Sequence, residues 1–412
     1  MSNPGNLLKT GLLDSIRSGG WAEENSLAAI ENLSFPSRKQ EEWKYSLPPF
    51  AAESYKISTE NPASAAVPGN LPDGIHLIFS EGRWLPEAGT KQLPEGLEIT
   101  ASRKPASVKP YEDNIFSRLN EATAAAFGIH IRIAKNARIE QPVLLIHLSA
   151  NSADAQWIQP TICVEAEEGS SAGFAEIHQG NNTSVMNIVN EIRIGKDAQL
   201  NWFHFQNTGG KSILVNQTRA ALETNAQFRH LVVSQSAGFV RNNLDIHIHG
   251  KGAHADLFGL SLGIEKSHCD HHSFVHHAEE NSSSRQLYKG IYSGKSTGVF
   301  NGKILVDQIA QKTNAYQSGR NILLSPDARV FAKPQLEIFA DDVKCSHGAT
   351  IGQLEEEPLF YLRSRGLDLA TARLLLVRAF ASEILMELGD ESLREFAENL
   401  AIARLDEMTR SL

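Results

Sequence analysis

A cysteine and a histidine two residues apart, Cys345 and His347, sit near the end of the run Lys333-Pro-Gln-Leu-Glu-Ile-Phe-Ala-Asp-Asp-Val-Lys-Cys-Ser-His-Gly-Ala-Thr350. A thiolate beside an imidazole offers two ligands to a metal, or a nucleophile and its base. The run reads as a strand, Leu336 to Phe339, passing through an acidic pair. If the strand persists, side chains two apart share a face: Val343, Cys345 and His347 on one side, Asp342, Lys344 and Ser346 on the other. On spacing alone the plainer reading is a half-buried strand end whose cysteine is a small apolar residue. A lone Cys-x-His lacks the four ligands of a closed metal site. The three cysteines, Cys163, Cys269 and Cys345, are too scattered to close one within the chain. A metal held by this pair would need ligands from another subunit.

Histidine is the second concentrated resource. Eight of the 15 histidines lie between His247 and His277: His247, His249, His254, His268, His271, His272, His276 and His277. His272 and His276 have the i,i+4 spacing that shares a helix face for metal, but Ile246-His-Ile-His249 reads as a strand. A ladder or surface role is the expectation there, with a metal site as the rival. Ser283-Ser-Arg-Gln-Leu-Tyr-Lys-Gly290 has no placed His/Asp partners and reads as a polar turn. No Gly-rich phosphate loop followed by Lys and Ser/Thr occurs, so any ATP chemistry has to come from a partner.

These residues need elements to position them. Apolar spacing predicts helices over Asn6 to Ile16 and Ser26 to Leu33, separated by Gly19-Gly20. The charged stretch from Phe35 to Tyr45 reads as a loop anchored by Trp43 and Tyr45. Residues 57 to 74 read as a Pro/Ala/Ser-rich linker, Ile75 to Phe79 as a short strand, and Asn114 to Phe127 as a helix stopped by Gly128. From residue 129 the pattern changes to short alternating strands around a small central residue, at 137, 172, 198, 226, 253, 297 and 328. The shortest intervals, about 27 residues, have room for two or three strands, as in a coil of a β-helix and unlike a propeller blade. The longer intervals are expected to hold insertions. Helices are predicted again over Glu355 to Gly366, Leu369 to Leu388 and Glu391 to Met408. The expected organisation is 1–128 helical with a linker and short β segment, 129–350 β-helix, and 351–412 helical.

Composition narrows the function. The 412 residues are 41% hydrophobic and 21% charged, ordinary for a soluble globular protein. A net charge of −9 argues against a nucleic-acid surface. Three unframed cysteines suit a reducing compartment. Lys9, Asp14 and Arg17 interrupt the N-terminal leucine pairs and no run spans a membrane, so a cytoplasmic protein is expected.

The run from Lys333 to Thr350, followed by Leu359-Phe-Tyr-Leu-Arg-Ser-Arg-Gly366, resembles the SufB/SufD family of SUF iron–sulfur assembly scaffolds. Phe300-Asn-Gly-Lys-Ile-Leu-Val306, Gln311-Lys-Thr313, Asn321-Ile-Leu-Leu-Ser325 and, more weakly, Glu42-Trp-Lys-Tyr45 match the same pattern. The Lys-Pro-Gln-Leu and Asp-Asp-Val-Lys-Cys-Ser-His-Gly-Ala runs point to the SufD side. The resemblance implies a mainly β fold, a right-handed parallel β-helix between N- and C-terminal helical parts. It implies a non-enzymatic scaffold that pairs with SufB, or with itself as a homodimer when alone, and binds the ATPase SufC. Cys345 and His347 would contribute to a nascent iron–sulfur cluster shared across the subunit interface, with no tightly bound cofactor in the isolated chain. Leu359, Phe360, Tyr361, Leu362, Arg363 and Arg365 would dock SufC. It implies no role for Cys163 or Cys269. Two rival functions stand beside it: a β-helix metalloenzyme using the His247–His277 cluster, and a metal-free interaction solenoid.

Overall fold

A residue in the left-handed backbone region, followed by a small one, makes the chain turn. Asn136 (φ 61°), Asp197 (57°), Asn225 (56°) and Gly252 (71°) precede Ala137, Ala198, Ala226 and Ala253. Asn, Asp and Gly tolerate that conformation best. Each alanine N–H closes the turn on the carbonyl three residues back, for example Ala198 on Gly195 and Ala226 on Glu223. Ala198, Ala226 and Ala253 are then wholly buried, where a larger side chain would push the next rung away.

In the computed structural model these corners join two ten-stranded sheets into a parallel β-solenoid of about seven turns. The structure describes residues 4–410 apart from 23, 51–54, 58–68, 102–113, 149–154 and 181–182, so most of the expected linker lies outside the described residues. In sheet I, Gln199 pairs with Gln227, Gln227 with His254, His254 with Ser283, Ser283 with Asn314 and Asn314 with Lys344. Sheet II runs alongside, from Gly128–Ile133 to Arg329–Ile338. Each rung contributes one strand to each sheet.

The seven small residues of the sequence pattern fall on two different corners. Ala137, Ala198, Ala226 and Ala253 precede strands of sheet I, whereas Thr297 and Ala328 border strands of sheet II; Ala172 is already inside a strand. The missing corners carry Asn281 (φ 59°) before Ser282 and Lys312 (φ 60°) before Thr313. The longest interval, from 253 to 297, therefore holds a corner of its own and no insertion. A hydroxyl replaced the alanine signal there, Ser282 donating to the Glu279 carbonyl and Thr313 to that of Ala310.

Helices cover both outer faces. Helices α1 (Pro4–Gly19), α2 (Glu24–Glu31) and α3 (Ile115–Phe127) pack on sheet II through Leu12, Ile16, Phe116 and Leu119 against Trp157, Val185, Ile213 and Phe239. Helix α4 (Glu356–Ser364) leads to α5 (Leu369–Leu385) and α6 (Glu391–Arg410). The last two cover sheet I through Val377, Ile384, Phe396 and Leu405 against Phe203, Phe205, Phe258 and Leu260. Asn114 caps α3 by accepting from the Ser117 N–H, and Asp368 caps α5 by accepting from Thr371. Between the sheets lies a third core, including Ile131, Val164, Trp202, Leu257 and Ile304.

The two ends of the solenoid differ. Antiparallel strands Arg83–Trp84 and Leu97–Ala101 close the N-terminal end. Arg329–Ile338 and Lys344–Gly352 are the last strands of their sheets, and from Ser346 to Gly352 every residue is exposed.

Candidate functional site

Cys345 and His347 lie on this open last rung. The strand through Leu336 does not persist to them. It ends at Ile338, the chain turns at residues 339–343, and Lys344–Gly352 begins in the other sheet. Their shared face survives the correction because both lie on the new strand. Cys345 stands in register with Ala315, which is wholly buried, and His347 with Gln317, which is also buried. Neighbours in register point the same way in a parallel ladder, so both candidate side chains face the solenoid interior at its uncovered mouth. Cys345 is half-buried against the inter-sheet core, and His347 is exposed. Burial pushes the Cys345 thiol up, against a hydrogen bond with the Ala315 backbone that lowers it. Desolvation thus disfavours a free thiolate, and a bound cation would reverse that preference.

The segment Glu41–Tyr45 is anchored beside this end. Trp43 is buried under the Arg241 guanidinium, 3.7 Å from the ring centre, and Tyr45 stacks on Phe331 at 4.3 Å. His272 joins the clamp, 3.3 Å from Glu42 Oε2 and 3.0 Å from Asp270 Oδ1. A cleft of about 730 Å³ lies along the segment, lined by Arg38, Lys39, Lys44, Lys333 and Ile351 among others.

Of the eight histidines from 247 to 277, His247 keeps ring contacts with His249 and His276, centroids 5.9 Å apart in each case, and the others disperse. The strand His268–His277 excludes the helical i,i+4 face: His271 points inside, to Ser261 Oγ at 2.8 Å, while His272 points out to Glu42. His276 meets Asp307, His277 meets Ser282 and Ser284, His254 meets Asp256, and His268 meets Ser46. Among the described residues no three of these eight converge at metal-binding distance. The polar run Ser283 to Gly290 is a strand, Ser283–Tyr292, and the turn immediately precedes it. Sequence reasoning missed an interior group at the other end, His147, Glu176 and His178. The signal was there in the alternation, with Val143, Leu145 and His147 on the inner face of one strand and Phe174, Glu176 and His178 on the same face of the next.

Helix α4 has no buried residue. Phe360 is 75% and Tyr361 56% exposed, Leu359 and Leu362 are half-buried, and Arg363 and Arg365 are exposed. Gly366 (φ 93°) ends the helix as the sequence predicts. Phe360 and Tyr361 thus form an exposed aromatic patch on α4.

A charged staple fastens the helices behind α4. Asp256 accepts from Arg229 and Arg285, each at 3.2 Å, and Arg285 also reaches Glu387 Oε1 at 3.0 Å. Burial would raise the Asp256 carboxyl, but His254 and Arg285 outweigh it and hold it down at about 2. A carboxylate held below its ordinary value stabilises the fold above that value, and loses this as pH falls through the depressed one. The stability gap between the wild type and Asp256→Asn is expected to be full above about pH 5 and to close towards pH 2. Urea titrations at stepped pH measure it; a gap independent of pH over that window would refute it.

The family model described as "SUF system FeS cluster assembly, SufBD core domain" matches residues 148–380. The chain belongs to the SufBD family. An iron–sulfur cluster assembly SufBD family protein of Synechocystis is 31% identical over 392 residues, covering 89% of this chain and 86% of that protein. The iron–sulfur cluster assembly protein SufD of Escherichia coli is 28% identical over 382 residues, covering 90% of each. The chloroplastic protein ABCI7 of Arabidopsis thaliana is 31% identical over 341 residues, covering 81% of this chain and 69% of its own length. The SufBD match takes in Cys345, His347 and α4, so both candidate surfaces lie inside the region that defines the family. This chain is thus a SufD-like component of iron–sulfur cluster assembly. Among the described residues no helix is long and apolar enough to cross a membrane.

Proposed function

We propose that this chain is a non-enzymatic scaffold subunit that pairs through its open last rung, with SufB or with a second copy of itself. Cys345 and His347 then supply part of a ligand set for a nascent iron–sulfur cluster, and α4 docks the ATPase SufC. The observation that carries the reading is the pair's position: two inward-facing ligands on a rung with no neighbour. Such clusters take about four protein ligands, and half of that set is here. The edge strand of sheet II contains Pro334, which has no N–H to offer a partner, whereas Lys344–Gly352 has no proline. Strand addition therefore favours the edge that bears the cysteine and histidine. The cluster is cargo, assembled and passed on. ATP hydrolysis belongs to SufC, whose motion would reach the interface through α4–α6 and sheet I. A cytoplasmic location follows from the same reading.

Co-purification with SufB and SufC, followed by anaerobic reconstitution with iron and sulfide, tests the assignment. Cys345→Ala and His347→Ala are each expected to lose most of the visible cluster absorption while the three-protein complex stays intact. Cluster yields equal to wild type in both variants would overturn it.

A further inference from the structure

The cleft beside the open last rung carries more positive charge than its own acids neutralise. It holds about 730 Å³ and is lined by Arg38, Lys39, Lys44 and Lys333, with Tyr45 and Phe331 among its apolar groups. Ile351, next to the end of the last strand, also borders it. Its two acids are engaged: Glu41 pairs with Lys333, and Glu42 with His272 and Asn301. Arg38, Lys39 and Lys44 are exposed and have no ion pair among the described residues.

The complementary charge lies at the other end of the same strand. Residues 339–343 turn the chain from Arg329–Ile338 into Lys344–Gly352. In that corner Phe339 is 63% exposed, and Asp341 and Asp342 are exposed with no ion pair among the described residues. At about 3.3 Å per residue, the strand from Lys344 to Ile351 sets the corner roughly 23 Å from the cleft of its own chain. The two cannot meet within one molecule. Two copies joined at the last rung bring them together. Pro334 disfavours strand addition at the edge of sheet II, so Lys344–Gly352 faces the same edge of its copy. A two-fold axis that joins this edge to itself and keeps the inner faces aligned stands perpendicular to the sheet at Gly348, midway along the strand. It makes the two strands antiparallel. Lys344 of the second copy then lies opposite Gly352, and the acidic corner of that copy arrives at the cleft. Symmetry forms the contact twice.

We infer that the cleft along Arg38–Tyr45 is a docking site for a second copy of this chain, whose Phe339, Asp341 and Asp342 it receives. The contact rests on the pairing proposed above and supplies what orients it. Arg38, Lys39 and Lys44 meet the two carboxylates, and Phe339 meets the apolar lining. Ion pairs at an exposed rim govern orientation and association rate more than raw affinity, and salt screens them. A copy docked with its strand parallel would set corner on corner, with Asp341 and Asp342 against their own kind. The charges therefore select the antiparallel arrangement.

The test is a charge swap in the full chain under reductant, with dimers read by sedimentation velocity and native mass spectrometry. One variant carries Arg38→Glu, Lys39→Glu and Lys44→Glu; the other carries Asp341→Lys and Asp342→Lys. All five positions are exposed, so both chains should keep the wild-type circular dichroism. Each variant alone sets like charges together in both contacts, and its homodimer Kd should rise at least about tenfold. Mixed, the two variants restore opposite charges in both contacts. A heterodimer with a Kd within about threefold of wild type is expected, formed in preference to either homodimer. Homodimers of unchanged affinity in both variants overturn the docking while leaving the pairing itself standing. A mixture that stays monomeric also overturns it. So does a wild-type chain that is monomeric at about 100 μM, in which case cluster yield with SufB judges the pairing by itself.

Discussion

Arg241→Ala is expected to destabilise the chain by about 3–5 kcal/mol, the usual cost of removing one partner from a buried ion pair. Arg241 is 1% exposed, and its guanidinium makes most of the local structure. It donates to Asp270 Oδ2 at 3.0 Å, Asn243 Oδ1 at 3.0 Å and the Glu42 carbonyl at 2.6 Å, and its face covers Trp43. Asp270 is fully buried. Burial alone would raise its carboxyl, but His272 and Arg241 together hold it well below the usual carboxylate range. Without the arginine, that charge keeps His272 Nε2 beside it, at 3.0 Å, but loses its guanidinium partner. Lysine restores a charge but not the planar fork or the stacking, so Arg241→Lys should recover only part of the loss. Adding Asp270→Asn to Arg241→Ala should also recover part, because the uncompensated charge is gone. Contacts in a solenoid are between neighbours. The damage should therefore centre on residues 38–46, read as faster amide exchange there, with the total loss read from urea unfolding. An Arg241→Ala variant within 1 kcal/mol of wild type would show that the clamp does not stabilise this end.

Phe205→Ala is expected to cost a similar amount, about 3–5 kcal/mol, through lost burial and the cavity left behind. Phe205 is 1% exposed on the outer face of sheet I and meets Phe396 of α6 edge to face, 5.3 Å between centroids. It is a central contact between solenoid and C-terminal helices. The interior core lies on the other side of the strand and does not depend on it. The helices should loosen while the solenoid keeps its strand signal in circular dichroism. Limited proteolysis should then cut within 353–412 far sooner than in wild type. Phe360→Ala is the contrasting change. At 75% exposure it should alter stability by less than about 0.5 kcal/mol while weakening partner binding, if α4 is the docking helix. Equal protease resistance in Phe205→Ala and wild type would show that the helices are held elsewhere, for instance by the Asp256 staple.

The local elements were legible wherever one residue type carries one backbone consequence. Asn114 and Gly128 bracket α3, Gly366 ends α4, and Asn or Asp before Ala marks the corner because few other residues enter the left-handed region cheaply. The corners at Ser282 and Thr313 escaped notice because a hydroxyl can close the same turn by its own hydrogen bond. The anchoring of Trp43 and Tyr45 could be expected from two aromatics closing a charged loop, but their partners could not. Arg241 and Phe331 lie about 200 and 290 residues further along the chain.

By itself the sequence determined the β-solenoid between helical parts, the family resemblance and the shortage of ligands around Cys345 and His347. These are properties of period, composition and short motifs. Tertiary structure decided which way each strand's alternating faces point, because burial depends on the neighbouring rung and on the helices outside. It turned Cys345 and His347 towards an interior left open at that end, and gave His254, His268, His271, His272 and His277 separate partners while leaving His247 in ring contact with His249 and His276. It also brought His147 against Glu176 and His178, whose strands are neighbours only after the chain has made a full turn. Stacking in a solenoid converts one coil of sequence separation into a few ångströms, and no local spacing rule contains that distance.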